Sequence, residues 1–154
     1  MNNFSKLWVF QSRRFLTLEE IQDINKILTD FLKTWAAHGA DLKSELTIIK
    51  NKFIIIAVDE NQAKATGCSI DKLNQCIRQI DQKYQLDLLN RLWVSYEDNK
   101  GEITTVPMNS FKEKIKSAQI SPETYIYNLA ISTSKEFEEK FRLPLKESWA
   151  RIFM

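Results

Sequence analysis

The apolar residues in the first part of this chain alternate between two spacings, and the order of these spacings limits what the chain can fold into. Adjacent apolar residues, which are typical of strands, occur at positions 7–10, 46–49, 53–58 and 92–96. Between the first two runs, and again between the last two, apolar residues recur every three or four positions, as in amphipathic helices. The order is therefore strand, helix, strand, strand, helix, strand.

Local signals mark where these elements begin and end. Thr17 and Glu20 have the spacing of a capping box, which predicts that the first helix begins there. We expect this helix to end at Gly39, which can adopt a left-handed C-terminal cap. The second and third strands are joined at Lys50-Asn51-Lys52, a gap short enough for a hairpin. The apolar residues that define the two helices are Ile21, Ile24, Leu28, Phe31, Leu32 and Trp35, and then Ile70, Leu73, Ile77, Ile80 and Tyr84.

This order predicts an α+β protein with a ferredoxin-like, split β-α-β-β-α-β core over residues 6–97. We expect strands 7–10 and 53–58 to be parallel neighbours in the middle of its sheet. The length fits a single domain, residues 1–154, and no linker rich in Pro, Ser or Gly divides the chain. The core is extended by a hairpin strand at 103–106, a strand within 125–131, and a helical tail with segments near 110–117, 135–141 and 145–152.

Polar residues follow the two strands that we expect in the middle of the sheet. Arg13 and Arg14 follow the first, and Asp59 and Glu60 follow the other and lead to the start of the second helix. Parallel strands end at the same edge of a sheet, where open sheets tend to bind ligands. The sequence therefore predicts one ligand site built from Arg13, Arg14, Asp59, Glu60, Cys68 and Ser69.

Cys68 is the most reactive side chain of this predicted site. It lies at or near the N-cap of the second helix, where free N–H groups and the helix dipole favour a thiolate or a bound anion. The leading hypothesis is a non-catalytic binding or regulatory module for a small anion or an acidic peptide. The alternative is a thiol-dependent enzyme or redox sensor that uses Cys68. In the plainer interpretation the arginines pair with Asp59 and Glu60 on the surface, and Cys68 packs inward.

Neither a catalytic dyad nor a metal site is indicated. His38, the only histidine, is expected in the last turn of the first helix, at the sheet edge opposite Cys68. Cys76 falls on the apolar stripe of the second helix and is expected in the core. With two Cys and one His placed in this way no zinc spacing is present, and we expect no metal and no cofactor.

Charge and hydropathy narrow the class of partner. The 22 basic and 20 acidic residues are spread evenly, so nucleic acid is not the expected partner. No apolar run approaches the ~18 residues that span a bilayer, and the N-terminus lacks a signal-peptide pattern. We therefore expect a cytoplasmic, reduced protein. A third hypothesis is pairing with a protein partner, or with a second copy as a homodimer, through the strand edge at 46–49 or 103–106.

Seven short segments are familiar in combination: Gln11-Ser12, Arg14-Phe15, His38-Gly39, Leu42-Lys43, Val58-Asp59-Glu60, Gly67-Cys68-Ser69-Ile70-Asp71 and Glu147-Ser148-Trp149. Together they resemble a family of small bacterial proteins often catalogued as "ABC transporter ATPase". The resemblance carries no catalytic residue with it. The chain also lacks the phosphate-binding loop that an ATPase needs. Its three glycines stand at 39, 67 and 101, and no pair of them can form a Walker A motif.

Overall fold

A computed structural model describes residues 6–61 and 63–154. Within these residues the protein is of mixed α+β class, with four α-helices and three antiparallel sheets. The chain divides into two compact units. Unit 1 runs to Leu89 and includes Ser132–Lys135, and unit 2 comprises Asn90–Ile131 and Glu136–Met154.

Unit 1 contains the element order that the apolar spacing predicts, with one added hairpin. Its main sheet has the strand order β1-β5-β4, and α1 and α2 pack with it around one apolar core. The elements are β1 (Lys6–Gln11), α1 (Leu18–Lys33), β2 (Ala36–Ala37), β3 (Ala40–Asp41), β4 (Lys43–Ile49), β5 (Phe53–Asp59) and α2 (Gly67–Tyr84).

The direction of β5 corrects the predicted topology. β5 is antiparallel to β1, with Lys6 opposite Val58 and Gln11 opposite Phe53, so the prediction of parallel neighbours is wrong. The hairpin between β4 and β5 is the physical reason. Lys50 and Asn51 both have positive φ, 54° and 53°, which is typical of a tight hairpin turn that reverses the chain at once. Since β4 returns parallel to β1 after α1, β5 must run the opposite way.

The fourth strand of the predicted ferredoxin-like core does not join this sheet. β6 (Trp93–Glu97) pairs in a separate sheet. Beside β1 lies the segment 132–133, where the Ser132 carbonyl accepts a hydrogen bond from the Leu7 N–H at 2.9 Å and Thr133 forms a bridge to Lys6. The ferredoxin-like split core is therefore not confirmed, while the α+β class is.

The start of α1 is as predicted, and its end is not. The Thr17–Glu20 capping box forms in both directions, but the helix ends at Lys33, with Thr34 as its C-cap. His38 and Gly39, with φ of 52° and 77°, instead form the turn between β2 and β3. Trp35 explains the early end, because its indole is buried and donates to the Ser69 carbonyl at 2.8 Å, which draws the chain towards α2.

The core of unit 1 lies between the sheet and the two helices. β5 is the central strand and is buried from Phe53 to Val58. Ile54 and Ile56 pack with Ile24 and Leu28 of α1 and with the buried face of α2. Cys76 is buried in this core, as predicted.

Unit 2 is built on a four-stranded antiparallel sheet with the order β7-β6-β8-β9. The predicted hairpin turn is present, with Gly101 at φ 78° and the Asp98 carboxylate accepting from two backbone N–H groups of the turn. The tail at 145–153 is 3₁₀ rather than α-helical. The remaining elements are β7 (Ile103–Pro107), α3 (Met108–Lys116), β8 (Tyr125–Tyr127), α4 (Ser134–Lys140), whose first two residues belong to unit 1, and β9 (Arg142–Pro144).

Candidate functional site

The structure divides the predicted ligand site between the two ends of the unit 1 sheet. Because β1 and β5 are antiparallel, Arg13 and Arg14 lie at the end where β5 begins, and Asp59 and Glu60 lie where it ends. A strand the length of β5 spans about 20 Å. The six predicted residues therefore do not share one edge, and each end has to be judged separately.

At the first end, Arg14 is fully engaged in a structural ion pair. Its guanidinium donates twice to the Glu20 carboxylate, at 2.7 Å each, and once to the Tyr84 carbonyl at 3.0 Å. These hydrogen bonds lower the pKa of Glu20 to about 2. Arg13 makes a looser ion pair with Asp87, with Nε 3.8 Å from Oδ2. The arginines are thus paired with carboxylates, as the plainer interpretation expects, but with Glu20 and Asp87 rather than Asp59 and Glu60.

The same end contains a buried lysine that the sequence did not reveal. Lys52 is 1% exposed, and its ammonium donates to the Ser12 carbonyl at 3.2 Å and lies 4.6 Å from the ring centroid of Phe15. No carboxylate of the described residues lies within ion-pair distance of it. Burial lowers the pKa of Lys52 to about 8. Its position in a polar hairpin turn is typical of an exposed lysine, so no local pattern could have indicated this burial.

At the second end, the predicted residues have separate structural roles. The Asp59 carboxylate lies 3.9 Å from Lys43 Nζ, and the Glu60 carboxylate accepts from the Ala65 N–H at 3.1 Å. Ser69 is buried and completes a capping box with Thr66, which is the N-cap of α2. Cys68 is exposed, so the expectation that it packs inward is wrong.

His38 lies at this same end, which corrects its predicted placement. α1 starts at the first end of the sheet and runs back, so the β2–β3 hairpin that follows it packs against α2. The Trp35–Ser69 hydrogen bond fixes this hairpin next to the first turn of α2. His38 and Cys68 are both exposed there, although no hydrogen bond joins them within the described residues.

An open groove of about 440 Å³ lies between α1 and β4 of unit 1. Its volume falls within the range of small-molecule sites. Its walls combine donors with a few apolar side chains, and none of its lining residues is acidic. They are Asn25, Thr29, Leu32, Lys33, Leu42, Lys43, Ser44 and Leu46.

The two lysines of this groove are available in a way that Arg14 and Lys52 are not. The side chains of Lys33 and Lys43 are 70% and 65% exposed, and their carboxylate partners lie at 3.8 and 3.9 Å. Exposed pairs of this kind contribute at most about 1 kcal/mol and are easily exchanged for another anion. Neither lysine was predicted, because Lys33 ends α1 and Lys43 begins β4, whereas a site was expected at the carboxyl ends of strands and at a helix N-terminus.

The charged cluster of unit 2 has a structural role. Arg142 donates twice to the Glu97 carboxylate, at 2.6 and 2.7 Å, and the Tyr127 hydroxyl donates to it at 2.9 Å. Burial is the main cause that raises the pKa of Tyr127. The three side chains come from β6, β8 and β9, so the cluster ties the strands of this sheet together.

In residues 6–61 and 63–154, no group of three or more His, Cys, Asp or Glu could hold a metal ion, and no helix is long and apolar enough to cross a membrane. No family model, no curated protein and no solved structure matches the chain.

Proposed function

We propose that this protein is a non-catalytic binding module that recognises an anionic ligand in the groove between α1 and β4. The observation that carries the proposal is the placement of two exposed, weakly paired lysines, Lys33 and Lys43, in one concave surface without an acidic residue. Asn25 and Ser44 supply neutral donors beside them, and the Thr29 hydroxyl donates to Asn25 Oδ1. Such a set binds carboxylate or phosphate oxygens by charge-assisted hydrogen bonds.

The groove supports this function better than the arginine end does. Arg14 already has a bidentate carboxylate and a carbonyl, so an incoming anion would have to displace Glu20. Lys52 is covered by its own surroundings and offers no exposed donor. An anion at the groove displaces only Asp30 and Asp59, whose contacts with the two lysines are 3.8 and 3.9 Å long.

The proposal extends to the setting of the protein. Cys68 and Cys76 are both free thiols, which supports a reducing compartment such as the cytoplasm. Membership of the small bacterial family that the sequence resembles is part of the same proposal, without the ATPase activity that the catalogue name suggests.

Calorimetric titration tests the function directly. Inorganic phosphate, glutarate and a capped tetraglutamate peptide are titrated into the full chain at low salt, because exposed charges are screened at high salt. We expect binding of at least one of these anions, and its loss in the double variant Lys33→Glu, Lys43→Glu. Lys72→Glu, on the exposed face of α2, is the matched control and should bind as the unmodified chain does. Equal binding in the double variant and the control would contradict the proposal.

A second candidate function, thiol chemistry at Cys68, is favoured by one observation. Cys68 is exposed in the first turn of α2, and the hairpin that carries His38 packs at that end. Alkylation of Cys68 against pH tests this candidate, and buried Cys76 serves as the internal unreactive control. An apparent pKa well below about 8.5 that rises in His38→Ala supports thiol chemistry, and a value near about 8.5 in both proteins removes it.

A further inference from the structure

The outer edge of β4, beside the groove, is a strand edge that pairs with no other strand of the described residues. On its other side, β4 pairs with β5 in the three-stranded sheet of unit 1. The opposite edge of the sheet is partly paired, because the segment 132–133 pairs with the start of β1. Unpaired strand edges are templates for a further strand, and proteins usually cover or distort those that have no partner.

β4 has the regular form that strand addition needs. It runs for seven residues, Lys43–Ile49, and each pairs in unbroken register with β5 from Lys43–Asp59 to Ile49–Phe53. It contains neither proline nor a bulge, two of the devices that block edge pairing, and its charged residues are Lys43 and Glu45. Leu46 and Ile48 face the helix side, where they pack against the core, so a neighbouring strand gains apolar contact there.

The charges around β4 indicate which side chains a complementary added strand would carry. Lys43 begins β4 and, like Lys33 of α1, contributes to the lining of the groove, and Lys50 follows the other end of β4. Glu45 lies between them and is exposed. A complementary strand therefore has carboxylates towards its two ends and uncharged residues in the middle.

From this edge and these charges, we infer that the groove takes an extended acidic segment of a partner protein, which adds to β4 as a further strand. This inference rests on the proposed function and names its ligand. A second copy of the chain fits less well, because its β4 supplies Glu45 as the only carboxylate for the lysines at both ends. The backbone pairing supplies affinity, and the lysines supply specificity and register.

The probe is a capped heptapeptide with glutamate at both ends and alternating valine and threonine between them. Two matched peptides serve as controls: one has lysine at both ends, and the other keeps the glutamates but carries N-methyl groups on alternate backbone amides. N-methylation removes the N–H groups that strand pairing needs and leaves the charges unchanged. Binding is followed by hydrogen exchange of the β4 amides in the full chain and by calorimetry.

We expect the glutamate peptide to bind and to slow exchange along β4. The lysine peptide and the N-methylated peptide should each bind at least about tenfold more weakly, the first through lost ion pairs and the second through lost backbone bonds. In Lys33→Glu, Lys43→Glu the glutamate peptide should also weaken by about tenfold, and Lys72→Glu should leave it unchanged.

Other results overturn the inference in distinguishable ways. If the N-methylated peptide and glutarate bind as well as the glutamate peptide and β4 is not protected, the groove binds small anions, and only the proposed function stands. If β4 is protected in the free chain in a concentration-dependent manner, with a dimer in sedimentation, the occupant is a second copy. If no anion binds in a lysine-dependent manner, both the inference and the proposed function are wrong.

Discussion

The basic residues of unit 1 form two groups, which differ in burial and in how closely their charged groups are already paired within the fold. At the end of the sheet where β5 begins, Arg14 is saturated by Glu20 and the Tyr84 carbonyl, and Lys52 is buried beneath Phe15. In the groove, Lys33 and Lys43 are exposed and loosely paired. The comparison teaches that a cation with complete partners stabilises the fold, whereas one with long, exposed contacts is available to a ligand.

The largest effect is expected where the first group is broken. In Glu20→Gln, Arg14 loses its charged partner, and the free energy of unfolding at pH 7 should fall by about 2–4 kcal/mol. The folded-state pKa of Glu20, about 2, lies below its usual value, so its contribution is present above pH ~4.5 and is lost as pH falls towards 2. Urea unfolding of both proteins between pH 7 and 2 checks this. A gap that stays constant down to pH 2 would contradict the assignment.

Lys52 gives the next largest effect, and stability again rises with pH, but in a more alkaline window. Because the folded-state pKa is lowered to about 8, the unfolded chain binds more protons between pH 8 and about 10.4, and stability should rise with pH across that window. The rise should be on the order of 2–3 kcal/mol, and Lys52→Met should lack it. Denaturant unfolding at pH 7 and pH 10 measures the slope. Parallel pH profiles for the two proteins would show that Lys52 is not buried as a cation.

A smaller effect is expected at the start of α2. Thr66→Ala removes the side chain that caps the Ser69 N–H, which should lower the free energy of unfolding by about 1 kcal/mol. Cys68→Ser, two residues along and exposed, is the control and should change stability by less than about 0.5 kcal/mol. Thermal unfolding of the two variants compares them. A larger loss in Cys68→Ser than in Thr66→Ala would mean that Cys68 holds the helix start.

The smallest effect on stability is expected in the groove. Lys33→Ala and Lys43→Ala should each change the free energy of unfolding by less than about 0.5 kcal/mol, because exposed, long ion pairs contribute little. Chemical denaturation measures this. A loss above about 2 kcal/mol in either variant would show that this lysine stabilises the fold as Arg14 does.

What could be predicted from the sequence was local in origin. The Thr17–Glu20 capping box, the buried run Phe53–Val58 and the turn at Gly101 each depend on residues close together in the chain, and the structure confirms them. The α+β class follows from the same periodicities. The position of Cys76 in the core follows from helical spacing alone.

What could not be predicted depended on how distant segments meet. The direction of β5 against β1 decides which end holds Arg13 and which holds Asp59, and an error in that one direction separated the predicted site residues. The end of α1 depended on Trp35 reaching Ser69, a contact between residues far apart in the chain. The burial of Lys52 beneath Phe15 likewise has no signal within the hairpin sequence.

In unit 1, Lys33 and Lys43 are available to a ligand, whereas Arg14 and Lys52 are engaged in contacts that stabilise the fold. Site-resolved NMR of the lysine side chains during a titration with glutarate measures this most directly. We predict that the resonances of Lys33 and Lys43 shift together along one saturable binding curve, while those of Lys52 and the control Lys72 stay in place. Equal, non-saturating shifts of Lys33, Lys43 and Lys72 would contradict the claim, because they would show a general salt effect and no groove that binds anions.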